Sequence, residues 1–239
     1  MRILGLDTAT SATTAAFLDT EAGIEVAARD DPPPGVRPRH TTELIALLVD
    51  VLGRAGAEWS DVDRIAIGVG PGTFTGLRIG VATGRALARA HGIAAVGIST
   101  LQSLALGASA AAPAGVVLPV LDARRGEVFA AAWSTPSSAG GPWRPLLEPL
   151  AVAPERLAEL APGLGENRLA IGDGSLAFRA VLERSGTVIP EDDSELHRVS
   201  AINHCRLAGV LSPPDRDGIR PHYLRLPDAE LARRASQPT

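Results

Sequence analysis

Residues 68–80 read GVGPGTFTGLRIG, and this glycine-rich stretch joins two segments of different character. Before it lies an apolar run, RIAIGV at 64–69, which has the length and composition of a buried strand. After it, residues 75–92 place small and apolar side chains at helical spacing. The stretch therefore predicts a strand, a tight turn and a helix, which together are a basic unit of an α/β fold.

A glycine-rich turn at this position can bind a phosphate group, but the residues here lack the features of a nucleotide site. The dinucleotide pattern needs a third glycine where Thr73 or Thr75 stands, and the strand expected at 94–99 carries no acid for a ribose hydroxyl. The chain contains no lysine, which also excludes a Walker-type phosphate lysine. We expect a structural turn instead, with Thr75 as the helix cap and Phe74 packed on Ile79 as a hydrophobic staple.

Arg78 is the unusual residue of this predicted helix, because a cation in the first turn opposes the helix macrodipole. Two interpretations are open for it. Arg78 forms a salt bridge with a carboxylate of this chain, or it binds an anion or a carboxylate of a partner.

Two predicted helices of the first half have the features of an interface. In residues 41–56, apolar side chains occupy nearly the whole circumference, whereas a helix on one face of a sheet needs only one apolar stripe. In residues 76–91, a small residue recurs every four positions and forms a smooth strip. We expect these surfaces to dock on a second protein rather than to pack within this chain. The predicted contact residues are Leu44, Leu48, Val51, Leu52, Gly76, Arg78, Gly80, Gly84 and Ala88.

Composition narrows the class of protein. The chain has 239 residues, of which 45% are hydrophobic, and this is enough for two small domains with aliphatic cores. Its net charge of −4 argues against binding nucleic acid without a partner. Cys205 is the single cysteine, so no intrachain disulfide can form, and we expect a cytoplasmic protein. Prolines and polar residues interrupt the uncharged stretch 93–121, so no membrane span is predicted.

The two halves of the chain begin alike. ILGLD at 3–7 and VVLPVLD at 116–122 are both apolar strands that end in aspartate, and each precedes further strand and helix patterns. We therefore predict a duplicated α/β fold, with one domain over 1–112 and a second over 113–239. The Pro-, Gly- and Ser-rich segment 136–145 is predicted to be a loop.

Asp7 and Asp122, which end these two strands, are the best pair of carboxylates for a nucleotide site between the halves. The residues after them do not suit phosphate, because TATS at 8–11 lacks glycine and ARRG at 123–126 is bulky. A vestigial site is therefore favoured over a working ATPase site. Its predicted residues are Asp7, Thr8, Asp122, Gly172 and Gly174.

No catalytic residue and no metal site are predicted, because none of the five histidines has the paired spacing of a zinc-binding helix. His40 is interpreted as a loop or capping residue. His204 and Cys205 are interpreted as incidental neighbours, because adjacent residues of a helix point about 100° apart.

Several stretches together resemble the bacterial TsaB (YeaZ) family. They are, in family order, ILGLDTAT at 3–10, RHT at 39–41, GVGPGTFTGLRIGVATGRALA at 68–88, VGISTLQSLA at 96–105, LDARRGEVF at 121–129 and PHYLR at 221–225. The resemblance implies two tandem actin-like domains, of the ASKHA and RNase H-like class, that arise from an internal duplication. It also implies a role in the synthesis of threonylcarbamoyladenosine at position 37 of tRNA.

Within that pathway the resemblance implies a non-catalytic partner of TsaD, the paralogue that transfers the threonylcarbamoyl group. Family members are thought to dock on TsaD through helices that correspond here to 41–56 and 76–91, and the ATPase TsaE is the expected third partner. The chain would then meet tRNA only through the complex. It would need no cofactor alone, although ATP or ADP could bind at the interface of the complex, and a homodimer is expected for the free chain.

Two other functions stay open at this stage. One is an actin-like ATPase or kinase with its own nucleotide site. The other is an M22-type glycoprotease-like peptidase. It has less support, because TsaD-like paralogues carry a second metal-binding histidine where this chain has Leu44.

Overall fold

The computed structural model describes residues 1–33, 35–108, 115–135, 143–212 and 218–225, and the strands of these residues form two sheets. Five strands make the first sheet: β1 (Arg2–Asp7), β2 (Thr13–Asp19), β3 (Ile24–Asp30), β4 (Arg64–Gly70) and β5 (Ala94–Ser99). Their order is β3-β2-β1-β4-β5. The first three strands form an antiparallel meander, while β4 and β5 run parallel to β1.

The second sheet repeats this arrangement with four strands. They are β6 (Val116–Arg124), β7 (Glu127–Ser134), β8 (Arg144–Val152) and β9 (Arg168–Ile171). The order is β8-β7-β6-β9, in which β6, β7 and β8 are antiparallel and β9 runs parallel to β6. The first four strands of the two sheets therefore share one topology. The fold is mixed α/β with two sheets, and its origin by duplication stays a prediction.

Strand β8 begins within the segment 136–145, which the sequence predicts to be a loop. Pro145 and Pro149 lie within this strand, and a proline normally argues against a strand because it donates no ladder hydrogen bond. The strand is tolerated because β8 is at the edge of its sheet. The predicted loop residues 136–142 lie outside the described residues.

Seven α-helices are present in the described ranges: α1 (His40–Ala55), α2 (Phe74–His91), α3 (Thr100–Gly107), α4 (Pro154–Leu160), α5 (Asp173–Ala177), α6 (Arg179–Glu183) and α7 (Ala201–Val210). Helices α5 and α6 have five residues each. Helix α3 ends at Gly107, and residues 109–112, which follow it, lie outside the described residues. None of these helices is long and apolar enough to cross a membrane.

Helix α2 begins two residues earlier than predicted. Thr73, not Thr75, is the cap, and its side chain accepts a hydrogen bond from the backbone N–H of Gly76. Phe74 is consequently the first helical residue and cannot form the predicted staple with Ile79. Its ring packs instead against Tyr223, with 5.1 Å between the ring centroids.

Helices cover both faces of the first sheet. Along β1 the side chains alternate, so that Leu4 packs with α1 and α2, whereas Ile3 packs with α7. Helix α3, which was predicted in the first domain, packs with β6 in the core of the second sheet. Helix α7, which was predicted in the second, packs on the first sheet. The packing therefore crosses the predicted division, and the boundary itself, at 112 and 113, lies outside the described residues.

Gly5 allows α7 to approach β1 closely. A Cβ atom at this position would lie 2.6 Å from the carbonyl oxygen of Ala201 and 2.6 Å from Sγ of Cys205. We expect Gly5→Ala to lower the free energy of unfolding by about 1–3 kcal/mol, because the α7 backbone must shift to admit the methyl group. Urea unfolding measures this change.

The control is Gly53→Ala in α1, where a Cβ atom would meet nothing within 4 Å. This substitution should raise the free energy of unfolding by up to about 1 kcal/mol, because alanine has the higher helix propensity. Equal stability of Gly5→Ala and the wild type would contradict the close contact between β1 and α7.

Candidate functional site

The turn that precedes α2 is packed against the loop that follows β1. A Cβ atom at Gly72 would lie 2.3 Å from the carbonyl oxygen of Ala9, and one at Gly76 would lie 1.9 Å from that of Thr8. The backbone N–H of Thr73 donates to the Ala9 carbonyl at 2.7 Å, and the Thr8 hydroxyl donates to the Gly76 carbonyl at 2.7 Å. These glycines therefore bring two segments of the chain together and leave no space there for a phosphate group.

The small-residue strip of α2 faces the sheet of its own chain. A Cβ atom at Gly80 would lie 2.4 Å from the Thr8 hydroxyl oxygen, and one at Gly84 would lie 2.6 Å from the side chain of Ile67. Ala88 is buried on the same side. Gly76, Gly80 and Gly84 therefore pack against β1, β4 and the loop after β1, and contact of this strip with a partner stays a prediction.

The predicted contact residues of α1 are also buried. Leu44, Leu48, Val51 and Leu52 are at most 3% exposed, in a core shared with the side chains of β1, β2 and β4. Both sides of α1 carry apolar residues, and the sheet of this chain takes the more continuous stripe. Contact of these four residues with a partner stays a prediction.

The opposite sides of α1 and α2 form an exposed surface of small and apolar residues. Ile45 and Val49 on α1 are 43% and 53% exposed, and Ala46 lies between them. On α2, which is in contact with α1, Ala82 and Ala86 are exposed. We call these five residues the outer helix face. Two grooves border it, of about 530 Å³ beside Val49 and about 600 Å³ beside Ala82 and Ala86.

Arg78 lies at the end of this face, where α2 begins. Its guanidinium carbon is 3.7 Å from the ring centroid of Phe74, and its Nε donates to the Tyr223 hydroxyl at 3.2 Å. Arg78 forms no salt bridge with a carboxylate of the described residues, so the salt-bridge interpretation is not observed there. Of the nine predicted contact residues, Arg78 is the one that the structure leaves exposed.

The carboxylate of Asp7 is fully enclosed. Its Oδ1 accepts from the backbone N–H of Ala9 at 2.6 Å, while Oδ2 accepts from the Thr100 hydroxyl at 2.8 Å and lies 2.9 Å from Nε2 of His204. The pKa of Asp7 is lowered: burial opposes its ionisation, but the hydrogen bonds from His204, Ala9 and Thr100 outweigh that effect. Asp7 therefore ties β1 to α3 and α7 and is not available to a nucleotide.

His204 is thus a structural partner of Asp7, which the sequence did not indicate. The two residues are 197 positions apart, and no local pattern relates them. Nδ1 of His204 lies 2.8 Å from the hydroxyl of Ser103, which completes a buried chain of hydrogen bonds. The neighbouring Cys205 points to β1 and β2, and burial raises the pKa of its thiol.

The residues predicted around Asp122 have local roles. Its carboxylate accepts from the backbone N–H of Arg124 at 2.7 Å and pairs with Nη1 of Arg124 at 2.9 Å. A Cβ atom at Gly172 would lie 2.3 Å from the Val120 carbonyl oxygen, and one at Gly174 would lie 2.6 Å from the Leu121 carbonyl carbon. These two glycines let the start of α5 lie directly on β6.

A cleft of about 770 Å³ separates the two sheets at this end of the molecule. One wall includes Thr75 and Ile79 of α2, and the other includes Asp122, Arg124 and Asp173. Although Asp173 keeps contact with solvent, the surrounding protein and the nearby Asp122 raise its pKa. Of the five residues predicted for a vestigial nucleotide site, Asp122 lines this cleft, whereas Asp7, Thr8, Gly172 and Gly174 do not.

The described residues include no group of three or more His, Cys, Asp or Glu side chains placed to hold a metal ion.

Comparison with known proteins decides the family. The family model described as TsaD, tRNA N6-adenosine threonylcarbamoyltransferase, matches residues 29–185. The tRNA threonylcarbamoyladenosine biosynthesis protein TsaB of Escherichia coli is 31% identical over 196 residues, which are 81% of this chain and 80% of that protein. The chain belongs to the TsaB family. The resemblance seen in the sequence is confirmed.

Solved structures agree with this membership. A structure described as YeaZ from Pseudomonas aeruginosa is 26% identical, with a TM-score of 0.75 over 93% of this chain and 100% of that one. A second, described as an uncharacterized protein with similarity to peptidase YEAZ from the same organism, is 27% identical, with a TM-score of 0.77 over 94% and 99%. The two-sheet architecture is therefore one that TsaB family proteins share.

In this TsaB family chain, the enclosed Asp7 predicts a measurable dependence of stability on pH. Because the pKa of Asp7 is lower in the folded than in the unfolded chain, its ionisation stabilises the fold above the unfolded value of about 3.9. This contribution is lost as the pH falls through the folded pKa. We expect Asp7→Asn to cost about 2 kcal/mol at neutral pH, and the difference from the wild type to shrink below about pH 4.

Urea unfolding across this pH range measures the difference. Asp50→Asn is the matched control, because Asp50 is exposed and pairs with Arg54 alone among the described residues. It should leave the pH dependence unchanged. A constant difference between Asp7→Asn and the wild type at every pH would contradict the assigned role of Asp7.

Proposed function

We propose that this chain is a non-catalytic subunit that docks on TsaD and enables it to transfer a threonylcarbamoyl group to adenosine 37 of tRNA. The outer helix face is the proposed docking surface. TsaE is the proposed third member of the complex, and tRNA is reached only through it. In the absence of TsaD, two copies of the chain pair through the same face.

The exposure of Ile45 and Val49 is the observation that carries this proposal. Two large aliphatic side chains, 43% and 53% exposed, lie one helical turn apart and beside the small residues of α2. Small side chains on one helix and larger ones on its neighbour suit packing by two helices of a partner, because ridges can enter grooves. The family supports TsaD as that partner, since relatives are named for threonylcarbamoyladenosine biosynthesis and the matching family model is that of TsaD.

The chemistry of the cleft supports an accessory role rather than an enzymatic one. Asp7 is already engaged by His204 and Thr100, and the chain has no lysine to hold a phosphate. ATP or ADP therefore enters this proposal only at the interface with a partner that supplies the phosphate contacts.

The alternative, an actin-like ATPase or kinase, predicts turnover by the chain alone. Under the accessory proposal we expect purified chain to hydrolyse ATP no faster than its Asp122→Asn and Asp173→Asn variants, because these carboxylates would hold no magnesium nucleotide. A phosphate-release assay at saturating ATP measures this. Turnover that depends on Asp122 or Asp173 would favour the ATPase instead.

Substitutions that introduce a charge on the outer helix face test whether it is the docking surface. We expect Val49→Arg and Ala86→Arg each to weaken binding to TsaD of the same organism roughly a hundredfold or more, because burial of an unpaired charge costs several kcal/mol. Isothermal titration calorimetry measures the affinity. Sedimentation of the free chain should show the same variants as monomers.

Val210→Arg is the matched control. Val210 is 83% exposed and ends α7, which packs on the other face of the first sheet. This variant should bind TsaD as the wild type does. Leu48→Arg is unsuitable, because Leu48 is fully buried and its loss would unfold the chain. Wild-type affinity in both Val49→Arg and Ala86→Arg would contradict the proposed surface.

A further inference from the structure

Helix α2 carries basic side chains but no acidic ones. Its 18 residues include Arg78, Arg85 and Arg89 but no aspartate or glutamate. All three arginines are exposed, on the same side of the helix as Ala82 and Ala86. The outer helix face is therefore bordered along α2 by basic side chains.

Arg78 is held in a fixed position among these arginines. The Phe74 ring lies under its guanidinium at 3.7 Å, and Nε donates to the Tyr223 hydroxyl at 3.2 Å. Tyr223 is itself anchored, because the backbone N–H of the adjacent His222 donates to the Val69 carbonyl at 2.7 Å and Ile219 is buried in the core. The Phe74 ring contacts one face of the guanidinium, and the Tyr223 hydroxyl accepts from Nε. Neither contact engages the two terminal nitrogens.

Arg78 has no carboxylate partner among the described residues. It is the fifth residue of α2, which begins at Phe74, so it lies just beyond the first helical turn. The terminal nitrogens make no hydrogen bond to a described residue, so the fork that guanidinium offers to a carboxylate is open to a binding partner.

We propose that Arg78 is the charged anchor of the outer helix face and that it binds a carboxylate on an acidic helix or loop of the partner subunit. This inference rests on the proposed function, because it assigns the anchor to the same docking surface. Phe74 and Tyr223 orient the guanidinium before binding, which lowers the entropy lost when the ion pair forms.

A protein carboxylate suits this surface better than an RNA phosphate. The chain has a net charge of −4, which disfavours binding of a polyanion. A phosphate backbone would also offer no apolar group to pack on the exposed side chains of Ile45 and Val49. A protein surface that pairs apolar residues with one or two acids matches all of these features.

Substitution of Arg78 tests the anchor in the full-length chain. We expect Arg78→Ala to weaken binding to TsaD at least about tenfold, as truncation of an interface arginine commonly does. Arg78→Lys should recover part of the loss, because lysine keeps the charge without the fork. Tyr223→Phe should weaken binding about threefold, because it frees the guanidinium without removing it. Arg184→Ala is the control, since Arg184 is exposed and lies beyond α6.

The dependence on salt separates an ion pair from a loss of structure. Between about 0.05 and 0.5 M salt, wild-type affinity should fall more steeply than that of Arg78→Ala, because salt screens an exposed ion pair. Equal affinity of Arg78→Ala and wild type would overturn the inference while leaving the proposed function intact. Failure of the wild type to bind TsaD would overturn the proposed function itself. Unchanged TsaD binding with weaker tRNA binding by the assembled complex would assign Arg78 to RNA and overturn the inference.

Discussion

The close contact between α2 and the loop after β1 determines most of what this protein can do. Gly76 and Gly80 admit the Thr8 backbone and side chain, and the Thr8 hydroxyl donates to the Gly76 carbonyl. This contact fills the place where a phosphate would lie in a glycine-rich nucleotide turn. It also fixes the rotation of α2, so that Ala82, Ala86 and Arg78 face outward. The same contact therefore both fills this turn and determines which side of α2 is exposed.

The enclosed carboxylate of Asp7 is a second contact that holds the loop after β1 in place. A strand-end aspartate can face a cleft and hold a cation, but here His204 and Thr100 occupy its oxygens from α7 and α3. The carboxylate therefore stabilises the junction between the two sheets. The cleft contains the carboxylates of Asp122 and Asp173, and the chain has no lysine to bind a phosphate there. The outer helix face is the surface that we propose for binding a partner.

Local patterns in the sequence predicted most of the helices and strands but not which sides of α1 and α2 are exposed. Residues 41–56 and 75–92 were recognised as helices because their apolar periodicity is strong, and their bounds agree with α1 and α2 to within a residue or two. The side of α1 that meets the sheet could not be read, because Leu48 and Val49 are both aliphatic and only the tertiary packing distinguishes them. The partnership of Asp7 with His204 joins distant segments and has no local signal. β8 was missed because its prolines are typical of a loop.

Hydrogen–deuterium exchange of the full chain with and without TsaD tests the central claim most directly, since it reports the docking surface without altering any residue. We expect slower exchange on binding in α1 (His40–Ala55) and α2 (Phe74–His91), with no change in α7 (Ala201–Val210). Protection confined to α7, or to the hairpin between β6 and β7 at the cleft, would contradict it.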